Sequence, residues 1–257
     1  MTCYRETAGG RSGPENESEM GSGNGSEHES RNDSGLDSAY EPGKGLDPSR
    51  LAGYGGWSAD FYRDLAAYEA GRLTEPELLR RHGWRRAILV VDLVGTTAAS
   101  LALGDLRSSL RLLTAQREAL PLLERFRPDV LRCFADNFVA LFSHARAAVD
   151  AARALRDRDS MPRCRFGVGY GTVLAVGPNL AQGAEMNQVS KLGEDHARPG
   201  EILLTRGARQ RLLRDDDLKI VRASAARLPF PVYRLADGRT AAGRAHARAD
   251  VRVIRLA

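Results

Sequence analysis

Lysine is nearly absent from this sequence, cysteine and aromatic residues are sparse, and no apolar run is long enough to cross a bilayer. Cys3, Cys133 and Cys164 are odd in number, far apart and never in a CxxC pair, and the five histidines are scattered. That pattern gives no support to a disulfide framework or a zinc module. No apolar segment follows a basic N-terminus, so export and membrane anchoring are not expected and a cytoplasmic location is. The N-x-S triplets at Asn16, Asn24 and Asn32 then carry no glycan. Apart from Lys44, Lys191 and Lys219, every basic residue is an arginine. With aromatics at 6% these arginines are not interleaved with stacking side chains as single-strand binders require, so no nucleic-acid partner is expected despite a net charge of +5.

What is present divides unevenly along the 257 residues. Residues 1–50 hold ten Asp/Glu against five Arg/Lys, with much Gly and Ser and almost no large apolar residue. Such a segment cannot bury enough surface to offset its ordering entropy and reads as a disordered tail. Residues 51–83 suggest two short helices. One runs from Ser58 to Ala70 on the period of Phe61, Leu65 and Tyr68, and the other follows the capping box Thr74-Glu-Pro-Glu77 and closes at Gly83. Residues 84–237 form the main domain and 238–257 a basic C-terminal extension.

In the main domain Arg86–Asp92 is a short continuous apolar run, the signature of a strand buried on both faces. A long helix is expected over Asp105–Phe126, then strands at Val130–Ala135 and Phe138–Phe142 joined by a turn at Asp136-Asn137. A helix over Ala145–Leu155 precedes strands at Cys164–Val168 and Val173–Val176, separated by a break at Gly169-Tyr-Gly171. Gly183–Glu194 reads as a helix, Glu201–Thr205 as a strand, Ala208–Leu213 as a helix, and Leu218–Val221 and Val232–Leu235 as closing strands. The mixture implies an α+β fold on a ferredoxin-like βαββαβ core, with helices on one sheet face.

Two acids stand where chemistry is possible. Asp92 ends the buried strand just before Gly95 and a helix start, where a carboxylate holds a divalent cation and backbone amides meet phosphate; a helix N-cap beside a tight turn fits as well. Asp136 lies in the hairpin, and pairing of that hairpin with the first strand brings the acids together as two-metal phosphoryl transfer needs. Asp-Asn is also an ordinary turn pair.

Four pieces in order, Val91-Asp-Leu-Val-Gly-Thr96, Phe134-Ala-Asp-Asn-Phe-Val-Ala-Leu-Phe142, Gly167-Val-Gly-Tyr-Gly171 and Gly183-Ala-Glu-Met-Asn-Gln-Val-Ser-Lys-Leu192, followed by Arg198-Pro-Gly-Glu-Ile202, resemble the class III nucleotidyl cyclases over about residues 87–236. No one piece is specific, but together they carry the likeness. The resemblance implies conversion of a nucleoside triphosphate to its 3′,5′-cyclic monophosphate with two Mn²⁺ or Mg²⁺ ions. It places Asp92, Asp136 and the carbonyl of Leu93 on the metals, Gly95 and Thr96 on the triphosphate, and Asn187 on the ribose. Lys191 stands where the family usually has an arginine on the reacting phosphate. The base-selecting positions fall on Arg132 and Leu180, matching neither the adenine pair nor the guanine pair of the family; a one-residue shift would bring Asn179 or Ala181 to the second position. The family's late phosphate-binding lysine is missing, with Arg222, Ser224 and Arg227 nearby.

Arg132 and Asp136, four residues apart on one extended run, would be about 13 Å apart. The family's head-to-tail homodimer, with metals and base pocket on different subunits, accommodates that separation. The single-ring pocket expected from Arg132 and Leu180 points to UTP, with CTP and ATP as alternatives, and the minimal design resembles bacterial pyrimidine cyclases of antiphage defence, whose product activates a separate effector. Competing readings are a catalytically silent cyclase-like module and an Arg-rich nucleic-acid binder.

Overall fold

A computed structural model describes residues 47–54, 56–177, 180–224 and 228–236; the expected tail over 1–46 and the basic extension over 238–257 lie outside the described residues. Helix α1 (Pro48–Tyr54) begins inside the segment expected to be tail. Its start is locally encoded: the Asp47 carboxylate accepts from the N–H groups of Ser49 at 3.0 Å and Arg50 at 3.3 Å, with Pro48 preset for the first turn. Helix α2 (Ala59–Glu69) is capped by Ser58, whose Oγ accepts from Phe61 N at 3.2 Å. Helix α3 (Glu75–His82) carries the expected capping box, Thr74 N donating to Glu77 Oε2 at 2.8 Å. Gly83 ends it in an extended conformation, so strand β1 (Gly83–Leu93) starts without a loop, three residues earlier than the apolar run suggests.

The core continues through α4 (Thr96–Leu103), α5 (Asp105–Glu124), β2 (Val130–Phe134), β3 (Asn137–Phe142), α6 (Ala145–Arg156) and β4 (Cys164–Gly177). These strands lie in the order β2-β3-β1-β4 with antiparallel neighbours, the expected ferredoxin-like arrangement. Strand β6 (Ile202–Leu204) adds in parallel to β4, followed by β8 (Val232–Leu235) and the edge strand β7 (Ile220–Ala223), while β5 (Leu180–Gln182) pairs with the far end of β4. Burial on both faces explains the unbroken apolar run of β1. Leu89 and Val91 pack in the cluster with Ala115, Ala119 and Leu123 of α5 and Ala148, Val149 and Ala152 of α6. Ile88 and Val90 pack on the other face with Val189 and Met186 of α7 (Ala184–Ser190). Helices therefore cover both faces rather than one.

Strand β4 corrects a second expectation. It runs unbroken through Gly167, Gly169 and Gly171, which share a face at every second position and leave room for α7 instead of turning the chain. A Cβ on Gly167 would collide with Val189 O and stand 2.8 Å from Gly193 N. After α7 the helix loosens to π geometry over Lys191–His196, two residues beyond the expected end. The last helix, α8 (Arg206–Arg211), is capped by Thr205 Oγ1.

Candidate active site

The strand register assembles the site. Phe134, Asn137, Asp92 and Arg165 are successive cross-strand partners on β2, β3, β1 and β4, and partners directly opposite project to the same sheet face. Asp92 is 7% exposed, and Arg165 meets its Oδ2 through Nε at 2.8 Å and through a second guanidinium nitrogen. Burial pushes the Asp92 carboxyl above its ordinary value; Arg165 pulls it back, while Asp136 and Asp195 add to the push.

Asp136 reaches this row through the turn. The turn residues are Ala135 and Asp136, not Asp136 and Asn137 as the residue types suggested, because Asn137 pairs with both Phe134 and Asp92. Ala135 sits at φ 51, in the left-handed region that non-glycine residues avoid. Leu93 N donates to Asp136 O at 3.1 Å, and Thr96 Oγ1 donates to Asp136 Oδ2, so the hairpin is stitched to the β1–α4 connection. Gly95, at φ 84, makes that connection possible. Asp92, Leu93, Thr96 and Asp136 are thus brought together. Arg132 and Asp136 do not lie on one extended run, since the strand ends at Phe134, so their separation is not that of four extended residues.

No group of three or more His, Cys, Asp and Glu suited to a metal occurs among the described residues. Two carboxylates completed by neutral oxygens and substrate phosphates are nevertheless what Mg²⁺-type sites employ. One neutral oxygen here fits that need: Asn137 Oδ1 is buried and has no hydrogen-bond partner among the described residues. Arg165 escaped the sequence reading, because only the β1–β4 register shows that it faces Asp92.

Asn187 and Lys191 form a second group on α7 and the π segment that follows it, both exposed. Lys191 Nζ is 2.6 Å from Asp195 Oδ2, which holds its ammonium above the ordinary lysine value. Helix α7 is clamped by Glu185, whose Oε1 accepts from Tyr170 N at 2.9 Å and Thr205 Oγ1 at 2.5 Å. No hydrogen bond or ion pair joins Asn187 or Lys191 to the Asp92–Asp136 pair among the described residues. Arg132 is exposed on β2, on the face that also carries Asn137 and Asp92. The backbone of Leu180 lies in β5 opposite Gly177; Asn179 lies outside the described residues, and Ala181 packs with the Ile88–Val90 cluster. Arg222 and Ser224 are exposed at the β7 edge, Arg227 being outside the described residues. They line, with Arg206, Arg209 and Tyr233, a cleft of about 960 Å³ at the opposite end of the sheet order from β2.

No protein-family model and no curated protein matches the sequence. Among solved structures, the adenylyl cyclase CyaB from P. aeruginosa superposes with a TM-score of 0.50 at 18% identity, over 61% of this chain and 97% of that one. The catalytic core of a rhodopsin-guanylyl cyclase with converted specificity, in complex with ATPalphaS, superposes with a TM-score of 0.50 at 14% identity, over 60% of this chain and 95% of that one. The described domain has the α+β fold of class III nucleotidyl cyclase catalytic domains.

Proposed function

We propose that this protein is a class III nucleotidyl cyclase that converts a nucleoside triphosphate to its 3′,5′-cyclic monophosphate and pyrophosphate. The observation that carries the proposal is the meeting of Asp92 and Asp136, from separate elements, beside a helix start on this fold. These carboxylates and the Leu93 carbonyl would hold two Mn²⁺ or Mg²⁺ ions. Ions held there would activate the ribose 3′-hydroxyl for in-line attack on the α-phosphorus and would neutralise charge on the leaving pyrophosphate. Thr96 orients the Asp136 carboxylate through its hydroxyl, and the Gly95 turn presents the first amides of α4 to the triphosphate. Arg165, paired with Asp92, places a guanidinium beside the position that a phosphate would occupy.

Asn187 orients the ribose and Lys191 supplies positive charge to the reacting phosphate. Their exposure, apart from the acids, favours a head-to-tail homodimer in which each site draws on two chains. Asp136→Ala chains mixed with Asn187→Ala chains then regain one working site per heterodimer. Arg132 donates hydrogen bonds but accepts none, which suits the O4 and O2 acceptors of uracil. UTP is the proposed substrate and cyclic UMP the product, a second messenger for a separate effector in antiphage defence; Leu180, at the other base-selecting position, has no polar atom that would demand a partner on the base. The Lys191–Asp195 pair favours a second reading, a silent nucleotide-binding module, because it neutralises the cation that the reaction needs.

The deciding experiment incubates the purified full chain with the four triphosphates at equal concentration and Mn²⁺ or Mg²⁺, and identifies products by mass. Cyclic UMP is expected, and Asp92→Ala and Asp136→Ala should each lower turnover by orders of magnitude in a folded protein. Predominant cyclic AMP or GMP overturns the pyrimidine assignment. No cyclic product under any condition overturns the enzyme.

A further inference from the structure

Two buried side-chain polar atoms lack a hydrogen bond among the described residues, Arg86 Nε and Asn137 Oδ1. Arg86 Nε lies 2.8 Å from an Asp129 carboxylate oxygen, so its charge is met. Asn137 Oδ1 is an acceptor with no donor. Native proteins keep few such atoms, since an unsatisfied buried acceptor destabilises the fold, and each one calls for a reason.

Position supplies one. Asn137 follows Asp136 in the chain and stands directly opposite Asp92 in the β1–β3 register. Side chains so paired have Cβ atoms about 4.5–5.5 Å apart, which puts the amide within reach of a cation held on Asp92. A hard divalent cation takes six or more oxygens, carboxamide oxygens among them, and Asp92 and Asp136 supply only part of such a set. A neutral oxygen adds a ligand without a third negative charge beside Asp92, which already has Asp136 and Asp195 as neighbours.

We propose that Asn137, through Oδ1, is an additional ligand of the divalent cation held by Asp92 and Asp136; the proposal rests on the metal-site reading above. With Ala135 and Asp136 in the turn, Asn137 joins the ladder on the face of Asp92.

Direct titration of the full chain with Mn²⁺ alone, followed by electron paramagnetic resonance, tests this without any turnover. Wild type is compared with Asn137→Ala, Asn137→Leu and Asn137→Asp, and with Asp92→Ala as the control, each variant checked by thermal melting. The Ala and Leu variants should bind Mn²⁺ about tenfold or more weakly, and Asn137→Asp should bind at least as tightly as wild type. Asn137→Leu should melt no lower than wild type in the absence of Mn²⁺, because it removes the unsatisfied acceptor. Wild-type affinity in both Ala and Leu variants, with binding lost in Asp92→Ala, overturns the role of Asn137 and leaves the metal site standing. Absence of Mn²⁺ binding in wild type itself overturns the metal-site reading, and this proposal with it.

Discussion

Replacing Gly167 by alanine tests the seam that holds the helical segment carrying Asn187 and Lys191 against β4. The new Cβ would overlap Val189 O and lie 2.8 Å from Gly193 N, both backbone atoms, so no rotamer change relieves it. Either β4 or the helical segment carrying Asn187 and Lys191 must move. Overpacking a core costs about 1–3 kcal/mol, and a collision with fixed backbone belongs at the upper end. With a urea m-value of ~2 kcal/mol/M, a loss of ~3 kcal/mol lowers the unfolding midpoint by ~1.5 M. The neighbouring glycines grade the effect. At Gly169 the nearest obstacles are Val189 Cγ2 and Glu185 Oε1 at 2.8 Å, and at Gly171 the nearest is the Glu185 side chain, 2.9 Å away at Cγ. Side chains yield more readily than backbone, so the midpoint should fall most for Gly167→Ala, less for Gly169→Ala and least for Gly171→Ala. Gly53→Ala, on α1 with nothing within 4 Å, should leave the protein unchanged or slightly more stable. Urea unfolding followed by circular dichroism gives all four midpoints. A wild-type midpoint for Gly167→Ala, or the reverse order along β4, would refute the close-packed seam.

Ala135→Gly should stabilise the protein by about 0.5–1 kcal/mol, since the strain of a left-handed alanine, ~1–2 kcal/mol, outweighs the extra freedom of glycine in the unfolded chain; a lowered urea midpoint would contradict the turn assignment. Hydrogen bonds from His82 and Arg81 hold the Asp64 carboxyl below its ordinary value of 3.8, so their stabilisation is full above that pH and fades as pH falls beneath it. Asp64→Asn should therefore cost up to ~1 kcal/mol at neutral pH and nothing in strong acid, a difference that unfolding curves across pH will show; a cost that persists in acid would exclude the ionic contribution. Burial pushes the Cys164 thiol up to about 12, so in a Cys3→Ser background a thiol reagent at pH 8 should label Cys133 first and reach Cys164 only on unfolding. Labelling of Cys164 as fast as Cys133 in the native protein would contradict its burial at the start of β4.

Much of the fold is legible locally. Ser58 and Thr74 with Glu77 mark helix starts through hydrogen bonds closed within three residues, and Asp47-Pro48 carries the same kind of signal for α1, hidden only by the polar segment before it. The apolar run ending at Asp92 announces a strand buried on both faces, because no half-exposed strand could afford Ile88 to Val91 in succession. The mixture of strands and helices narrows the architecture, and the two acids are visible as candidates from their places at a strand end and a hairpin.

What lies beyond local reading depends on register and on close approach between distant segments. Asn137 rather than Asp136 begins β3 because the ladder to Asp92 and Phe134 outweighs the turn preference of an Asp-Asn pair. Gly169 and Gly171 look like a break in isolation, yet form a continuous strand because α7 occupies the space that side chains would fill. Arg165 meets Asp92, and Asn137 keeps an unpartnered oxygen beside it, only once β1 lies between β3 and β4. Periodicity and capping are properties of neighbouring residues and can be read along the chain. The charge and oxygen supply of the site arise from side chains dozens of residues apart, and only the pairing of the strands selects which of them meet.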